Sequence, residues 1–334
     1  MRDSYLFSPG PVPKKEEIEI NFSHRDKEFS DLMVEVKSLL LEMAPEYNDV
    51  ILTQGSASSA IETVFSSLFG KKDKVLILAN GAFGNRAASM ADYYSNDVEV
   101  VNTEEGAMER LSEGDIKYFF AVQFETSLSL YNDLTDHIIF CKNNGVVSII
   151  DAVSAFPFTK VGKPDFLITS SAKQLGGIPV MGVIFYDVNK EYELKETTDY
   201  LSFKKYKQYS LKNQTPHTSL IPQILSLKKS LEDLFSTQIA RINFRSAIIA
   251  NSKDLTEGLE DCILNSPIAP VITFKVKDTK SVVQYLHSKG IKTYFNLFYM
   301  KDYIQVSTFN YLESEVPYRE LNEVLRGLKE KGLL

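Results

Sequence analysis

One lysine, Lys173, stands between two apolar runs, FLITSS (166–171) and VMGVIFYD (180–187). Burying an ammonium between core strands is costly unless a partner or a reaction uses it. A desolvated lysine has a lowered pKa and can form a Schiff base with a carbonyl. Asp151 ends another apolar run, VVSII. The carboxyl end of a parallel strand is where open α/β sheets bind ligands, and a carboxylate there can hold a cationic group. In LTQGSASSAIE (52–62), a turn at Gly55 opens a helix whose first N–H groups and dipole attract an anion. In NGAFGNR (80–86), Phe83 follows a strand-like run, and an aromatic ring placed so can lie against a planar ligand.

Each feature has a purely structural reading as well. Ser56 or Ser58 can cap a helix, Asp151 can cap a turn, Lys173 can sit on a surface turn, and Phe83 can fill a core. Taken together, however, an anion cradle, a stacking ring, a carboxylate and a lysine are the set that pyridoxal 5′-phosphate requires. The carboxylate keeps the pyridine nitrogen protonated, so that the ring can accept electrons.

Positioning these residues requires a sheet. Strand-like runs recur at VLILAN (75–80), VEVVNT (98–103), YFFAVQFET (118–126), VVSIIDAVS (146–154), FLITSS and VMGVIFYD. They are apolar without alternation, as expected for strands covered on both faces. Helical or loop segments such as GNRAASMADYY (84–94) and LTDHIIFCKNNG (134–145) separate them, and an amphipathic helix near 57–69 precedes them. This rhythm predicts an α/β fold: a large domain with a mostly parallel sheet covered by helices, the sheet ending near 187. A polar stretch (204–218) and a long helical pattern (221–250) follow. The remainder reads VITFKV (271–276), SVVQYLHSKG (281–290), TYFNLF (293–298), YIQVSTF (303–309) and a final helix over 318–332. That is a small C-terminal α+β domain. The expected division is 1–235, with an N-terminal arm at 1–15, and 236–334.

Composition narrows the class. The 334 residues are 44% hydrophobic with net charge −7, which fits a soluble globular protein and gives no basic stripe for nucleic acid. No apolar run reaches the roughly 18 residues of a membrane span. The opening MRDSYLFSPGPVP lacks the apolar region of a signal peptide. Cys141 and Cys262 are isolated, and His24, His137, His217 and His287 form no ligand pattern. A cytoplasmic protein without a metal site is the expectation.

SPGPVP (8–13), SHRDKEF (23–29), TQGSASS, NGAFGNR, ETS (125–127), DAVS (151–154) and SSAK (170–173) occur in the order seen in class V, fold-type I aminotransferases. The sequence resembles most the alanine–glyoxylate, serine–pyruvate and 2-aminoethylphosphonate–pyruvate branch, over roughly residues 6–310. The resemblance implies a homodimer carrying pyridoxal 5′-phosphate near the subunit boundary. It implies amino-group exchange between a small amine and a keto or aldehyde acceptor, by ping-pong Schiff-base chemistry. Lys173 would be the Schiff-base lysine and proton shuttle, and Asp151 the partner of the pyridine nitrogen. Phe83 would stack on the ring, and Ser56, Ala57 and Ser58 would contact the phosphate. Ser127 would sit beside the ring hydroxyl. Thr215 and Thr218 match the segment that reaches the partner subunit's phosphate. A lyase or decarboxylase would keep the same lysine and aspartate, and a catalytically silent relative would keep the fold.

Three departures from the family pattern stand out. Ala172 replaces a polar residue that usually precedes the lysine. Leu128-Ser129 follow ETS in place of Thr-Gly. Gln305, in YIQVSTF, occupies the place of an arginine that clamps the substrate carboxylate. Arg25 or Arg86 could then serve as the cation, or Lys292 or Lys301 could compensate. An unusual donor is the other expectation: an amino alcohol phosphate, an aminophosphonate or a sugar-derived amine.

Overall fold

A computed structural model of the chain describes residues 5–8, 18–159, 162–236, 240–295, 301–311 and 316–334. Most of the SPGPVP motif, most of the 1–15 arm and the last three residues of TYFNLF lie outside these.

The chain divides into two units, and the division is not a single cut. One unit comprises Glu16–Phe124 and Asn132–Asp233. The other comprises the described part of Met1–Lys15, Glu125–Tyr131 and Leu234–Leu334.

The larger unit is built on a seven-stranded sheet. Its strands are β1 (Asp49–Gln54), β2 (Lys74–Leu78), β3 (Asp97–Val101), β4 (Tyr118–Val122), β5 (Val147–Asp151), β6 (Phe166–Ser170) and β7 (Met181–Tyr186). Their order is β1-β7-β6-β5-β4-β2-β3. Strands β3, β2, β4, β5 and β6 run parallel. Only β7 is reversed, pairing antiparallel with both β6 and β1. Strands β4, β6 and β7 are buried along their whole length, because helices cover both faces.

Those helices are α1 (Lys27–Met43), α2 (Ala57–Leu68), α3 (Ala82–Ala91), α4 (Glu104–Ser112), α5 (Thr135–Asn144), α6 (Phe203–Ser210) and most of α7 (Ile221–Ser236). Local chemistry sets their starts. Thr103 caps α4 by accepting from Gly106 N at 3.1 Å, and Glu104 and Glu105 in the first turn complement the dipole. Helix α2 sends Ala60, Ile61, Val64, Phe65 and Leu68 inward, where they meet Ile77, Tyr118, Phe120 and Ile184. The periodic placement of these side chains is what commits the segment to a helix on the sheet.

The smaller unit carries an antiparallel sheet of β8 (Ile263–Leu264), β9 (Val271–Lys275), β10 (Tyr294–Phe295) and β11 (Tyr303–Ser307), in the order β8-β9-β11-β10. Helices α8 (Ala240–Thr256), α9 (Thr279–Ser288) and α10 (Val316–Glu330) belong with it. Residues Tyr5–Leu6 pair parallel with Ile291–Lys292 in this unit.

Three features differ from the sequence expectation. The large sheet contains Asp49–Gln54, a strand that precedes the first helix expected. A helix, α6, occupies part of the polar stretch 204–218. The helical pattern from 221 to 250 is two helices, α7 and α8.

Candidate active site

Because β1 and β6 both run antiparallel to β7, the carboxyl ends of β1, β2, β4, β5 and β6 share one edge of the large sheet. The candidate residues in the larger unit collect on the segments that leave this edge.

Asp151 is the last residue of β5, 5% exposed, and registers with Ile168 of β6. Its Oδ1 accepts from Val153 N at 2.9 Å, which orients the carboxylate at the strand end. Lys173 follows β6 on a 3₁₀ turn, Lys173–Leu175, with φ 56. A non-glycine residue in the left-handed region is held there by its surroundings at a cost of about 1 kcal/mol or more.

The Lys173 ammonium makes no hydrogen bond and no salt bridge with any described residue. Burial pushes it down to about 8, against the attraction of the Asp151 carboxylate and with some help from the Arg86 charge. About a tenth is therefore neutral amine at pH 7, far more than for an ordinary lysine, and the neutral form is the one that attacks carbonyls.

Helix α2 begins at this edge, directly after β1. Ser56 is its N-cap, accepting weakly from Ser58 N at 3.3 Å. Gly55 has φ 105, and a Cβ there would fall 2.7 Å from Ser59 Oγ, so the turn into the helix accepts only glycine without strain. Gly55 N is spent on Val180 O at 3.1 Å. The N–H groups of Ser56 and Ala57 donate to no described residue, which leaves them for an anion.

Phe83 lies in the first turn of α3, half-buried, with the exposed Arg86 guanidinium 5.0 Å from its ring centroid. The loop before it is fixed by Asn80 and Asn132. Asn80 Nδ2 donates to Asn132 Oδ1 at 2.6 Å, and Asn132 Nδ2 donates to Val122 O at 2.7 Å. Arg86 forms no salt bridge with a described residue.

Thr215 and Thr218 lie in a segment stitched to the same unit. Arg25 donates to Gln214 Oε1 at 3.2 Å and Thr215 O at 3.0 Å and lies over the Tyr209 ring. Thr215 Oγ1 donates to His217 O at 2.8 Å. Gln54 Nε2 donates to Thr218 O, while Gln54 Oε1 accepts from Tyr200 OH at 2.8 Å. Tyr200 in turn stacks on His217 with centroids 4.0 Å apart.

Ser127 and Gln305 belong to the smaller unit. Ser127 Oγ donates to Glu125 Oε1 at 2.5 Å. Gln305, 2% exposed, donates through Nε2 to Thr126 O at 2.6 Å and Thr273 Oγ1 at 3.0 Å. Thr273 Oγ1 also meets Ser129 Oγ at 2.6 Å. The two N–H bonds of the amide are thus committed to the protein, and its Oε1 has no partner among the described residues. Lys292 and Lys301 are exposed.

Gln54, Gln174, Tyr200 and Asn132 escaped the sequence reading. Gln54 adjoins the Gly55 turn, a usable signal. The others become visible only once the fold joins distant segments. Among the described residues no cluster of His, Cys, Asp and Glu could hold a metal ion, and no helix is long and apolar enough to cross a membrane.

The donor set fits pyridoxal 5′-phosphate: unspent N–H groups at a helix start, a half-buried ring, a buried carboxylate and an unpartnered amine. Ala172 contributes no polar atom to it.

Comparison with known proteins places the chain in a family. The family model described as "Aminotransferase class-V" matches residues 17–295. The 2-aminoethylphosphonate–pyruvate transaminase of Bacillus mycoides (strain KBAB4) is 29% identical, over 61% of this chain and 61% of its own length. The protein of that name from Bacillus cereus is 29% identical over 61% of this chain and 65% of its own. The chain thus spans less than two thirds of these relatives. Among solved structures, the ureidoglycine–glyoxylate aminotransferase of Bacillus subtilis superposes with TM-score 0.83 at 19% identity, covering 98% of this chain and 94% of that one. The alanine–glyoxylate aminotransferase of a Nostoc species gives 0.81 at 21%, covering 98% and 96%. These likenesses show the fold. With the family match covering most of its length, the chain belongs to the class V aminotransferase family.

Proposed function

We propose that this chain is a pyridoxal 5′-phosphate-dependent aminotransferase that moves an amino group from a small amine donor to a keto or aldehyde acceptor. The observation that carries this reading is the unpartnered, desolvated Lys173 amine on the turn that leaves β6, the strand paired with the one that ends in buried Asp151. A structural lysine has no need of such a place.

When bound, the cofactor supplies an electron sink conjugated to the reacting carbon. The chain's residues do the rest. Asp151 would face the ring nitrogen, where a carboxylate favours the protonated ring. Ser56, Ala57 and Ser58 would hold the phosphate at the start of α2, where the dipole favours an anion. Phe83 would lie against the ring. Lys173 would hold the cofactor's aldehyde and serve as the proton carrier at the reacting carbon; its lowered basicity suits both taking up and giving back a proton near neutral pH.

The donor class follows from two cations and one amide. Gln305 offers no unspent N–H to a carboxylate, and Arg25 is committed to the 214–215 segment. Arg86 remains, in the second turn of α3 near the ligand edge, and its charge acts on Lys173. This favours a donor whose anionic group is met by Arg86, as an aminophosphonate or amino alcohol phosphate would supply. Two of the relatives above carry an aminophosphonate in their names. We also read the chain as working as a homodimer, on the strength of the family resemblance.

The test is an absorbance spectrum of protein loaded with the cofactor. A visible band that disappears in Lys173→Ala supports the reading. Its persistence sinks it. Half-reactions with alanine, 2-aminoethylphosphonate and phosphoethanolamine then sort donors, and Arg86→Gln should raise KM for the phosphonate and phosphate donors by about tenfold or more.

A further inference from the structure

We infer that Gln174 is a positioning residue: its side chain clamps the turn that carries Lys173 to the loop that follows Asp151. The inference rests on the reading of Lys173 given above.

Gln174 is 3% exposed, and both ends of its amide are used. Nε2 donates to Ser154 O at 2.8 Å, and Oε1 accepts from Phe158 N at 3.0 Å. Both partners lie on the loop leaving β5, whose last residue is Asp151. That loop is itself anchored, with Ala152 N donating to Ile168 O at 2.8 Å. Gln174 therefore spans the gap between the exits of two neighbouring strands, one carrying the carboxylate and one the amine.

The far side of the Lys173 turn is fastened separately. Ser230 Oγ donates to Gly176 O at 3.0 Å, Ile178 N donates to Ser226 Oγ at 3.1 Å, and Ser171 Oγ donates to Ile178 O at 2.7 Å. Those bonds hold the chain at 171 and from 176 onward. Between them Lys173 keeps its left-handed backbone, a conformation that an unconstrained lysine abandons. Among the described residues, Gln174 is the side chain of the turn that bonds across to the Asp151 loop. A residue next to a reactive amine, wholly buried and hydrogen-bonded at both ends, fixes where that amine points.

The neutral isostere Gln174→Met keeps the volume and removes both hydrogen bonds. Wild type, Gln174→Met and Gln174→Ala would be titrated with pyridoxal 5′-phosphate. For each, the cofactor Kd, the pH midpoint of the visible band and the unfolding temperature of the cofactor-free chain would be measured. We expect Gln174→Met to bind the cofactor about tenfold or more weakly. Its absorbance midpoint should move by about half a pH unit or more, because the lysine no longer keeps its distance from Asp151. If Gln174→Ala does not fold, Gln174→Met carries the test. A lower unfolding temperature with Kd within about twofold and the midpoint unmoved would leave Gln174 a packing residue only and overturn the inference. A wild-type chain that forms no visible band overturns the reading of Lys173 itself.

Discussion

Two half-buried lysines stand at opposite ends of the large sheet, and they are treated in opposite ways. Lys37 of α1 meets the amino end of β1. Its Nζ lies 2.6 Å from Asp49 Oδ1 and donates to Ser210 O at 2.9 Å and Ser210 Oγ at 2.8 Å. Asp49 also accepts from Tyr186 OH and Ser210 Oγ. Every charge there has a counter-charge and every proton an acceptor. Lys173, at the carboxyl edge, has no direct partner among the described residues, and burial lowers its pKa to about 8. The first arrangement holds α1, β1, β7 and α6 together. The second stores an unfavourable burial that a covalent bond to an aldehyde would relieve, since the linked nitrogen need not carry a full ammonium. A buried lysine is thus diagnostic only through its partners.

The sharpest way to break this contrast is to remove each ammonium in turn. Lys37→Met strands Asp49 in the interior, and equilibrium unfolding in urea should show a loss of about 3–5 kcal/mol. Lys173→Met should do the reverse in the cofactor-free chain, gaining about 2–3 kcal/mol at pH 7. The sign follows from the proton count. Between about pH 8 and 10.5 the folded state holds fewer protons on Lys173 than the unfolded state does, so wild-type stability rises with pH. The gain from Lys173→Met is therefore full below pH 8 and fades by pH 10.5. Equal losses from both substitutions would erase the distinction.

How much of this contrast was legible in the sequence depends on distance along the chain. Lys173 stood out because its neighbours are strand-like runs on both sides, a local signal. Asp151 was legible for the same reason. Helix α1 was also within reach, since Phe29, Leu32, Met33, Val36 and Leu40 follow the helical period. Strand β1 was obscured because its apolar run is short and ends in the Gln54-Gly55 turn; its identity as a strand comes from pairing with β7, more than a hundred residues away. Gln305 was visible as a departure, yet its partners were not. That its N–H groups serve Thr126 O and Thr273 Oγ1 follows from the β9–β11 register and from residues 125–131 joining the smaller unit, neither of which is written in any one segment. Gln174 had no signal at all until the fold brought residues 154 and 158 to it.

Gln305 supplies a second, weaker comparison with Lys173: buried polar groups that are neutral and bonded. Gln305→Met removes two hydrogen bonds and leaves Thr126 O without that donor, which should cost about 1–2 kcal/mol. The pH midpoint of the visible band should stay where it is. A shifted midpoint would mean that Gln305 acts on the lysine after all.

The smallest effect concerns the backbone at the mouth of the α2 turn. Val180 has φ 80, is 53% exposed, and accepts from Gly55 N. A β-branched residue in that region is strained, so Val180→Gly should raise stability by about 1 kcal/mol. Thermal unfolding of the cofactor-free chain reads this directly. A loss in place of a gain would show that the side chain contributes packing that outweighs the strain.

The most direct test of the amine at position 173 is chemical. Protein incubated with pyridoxal 5′-phosphate at neutral pH, reduced with borohydride and digested should carry the cofactor's mass on one peptide, the one containing Lys173, at close to one equivalent per chain. Label spread over surface lysines, or concentrated on Lys37 or any other residue while Lys173 stays unmodified, would contradict the account.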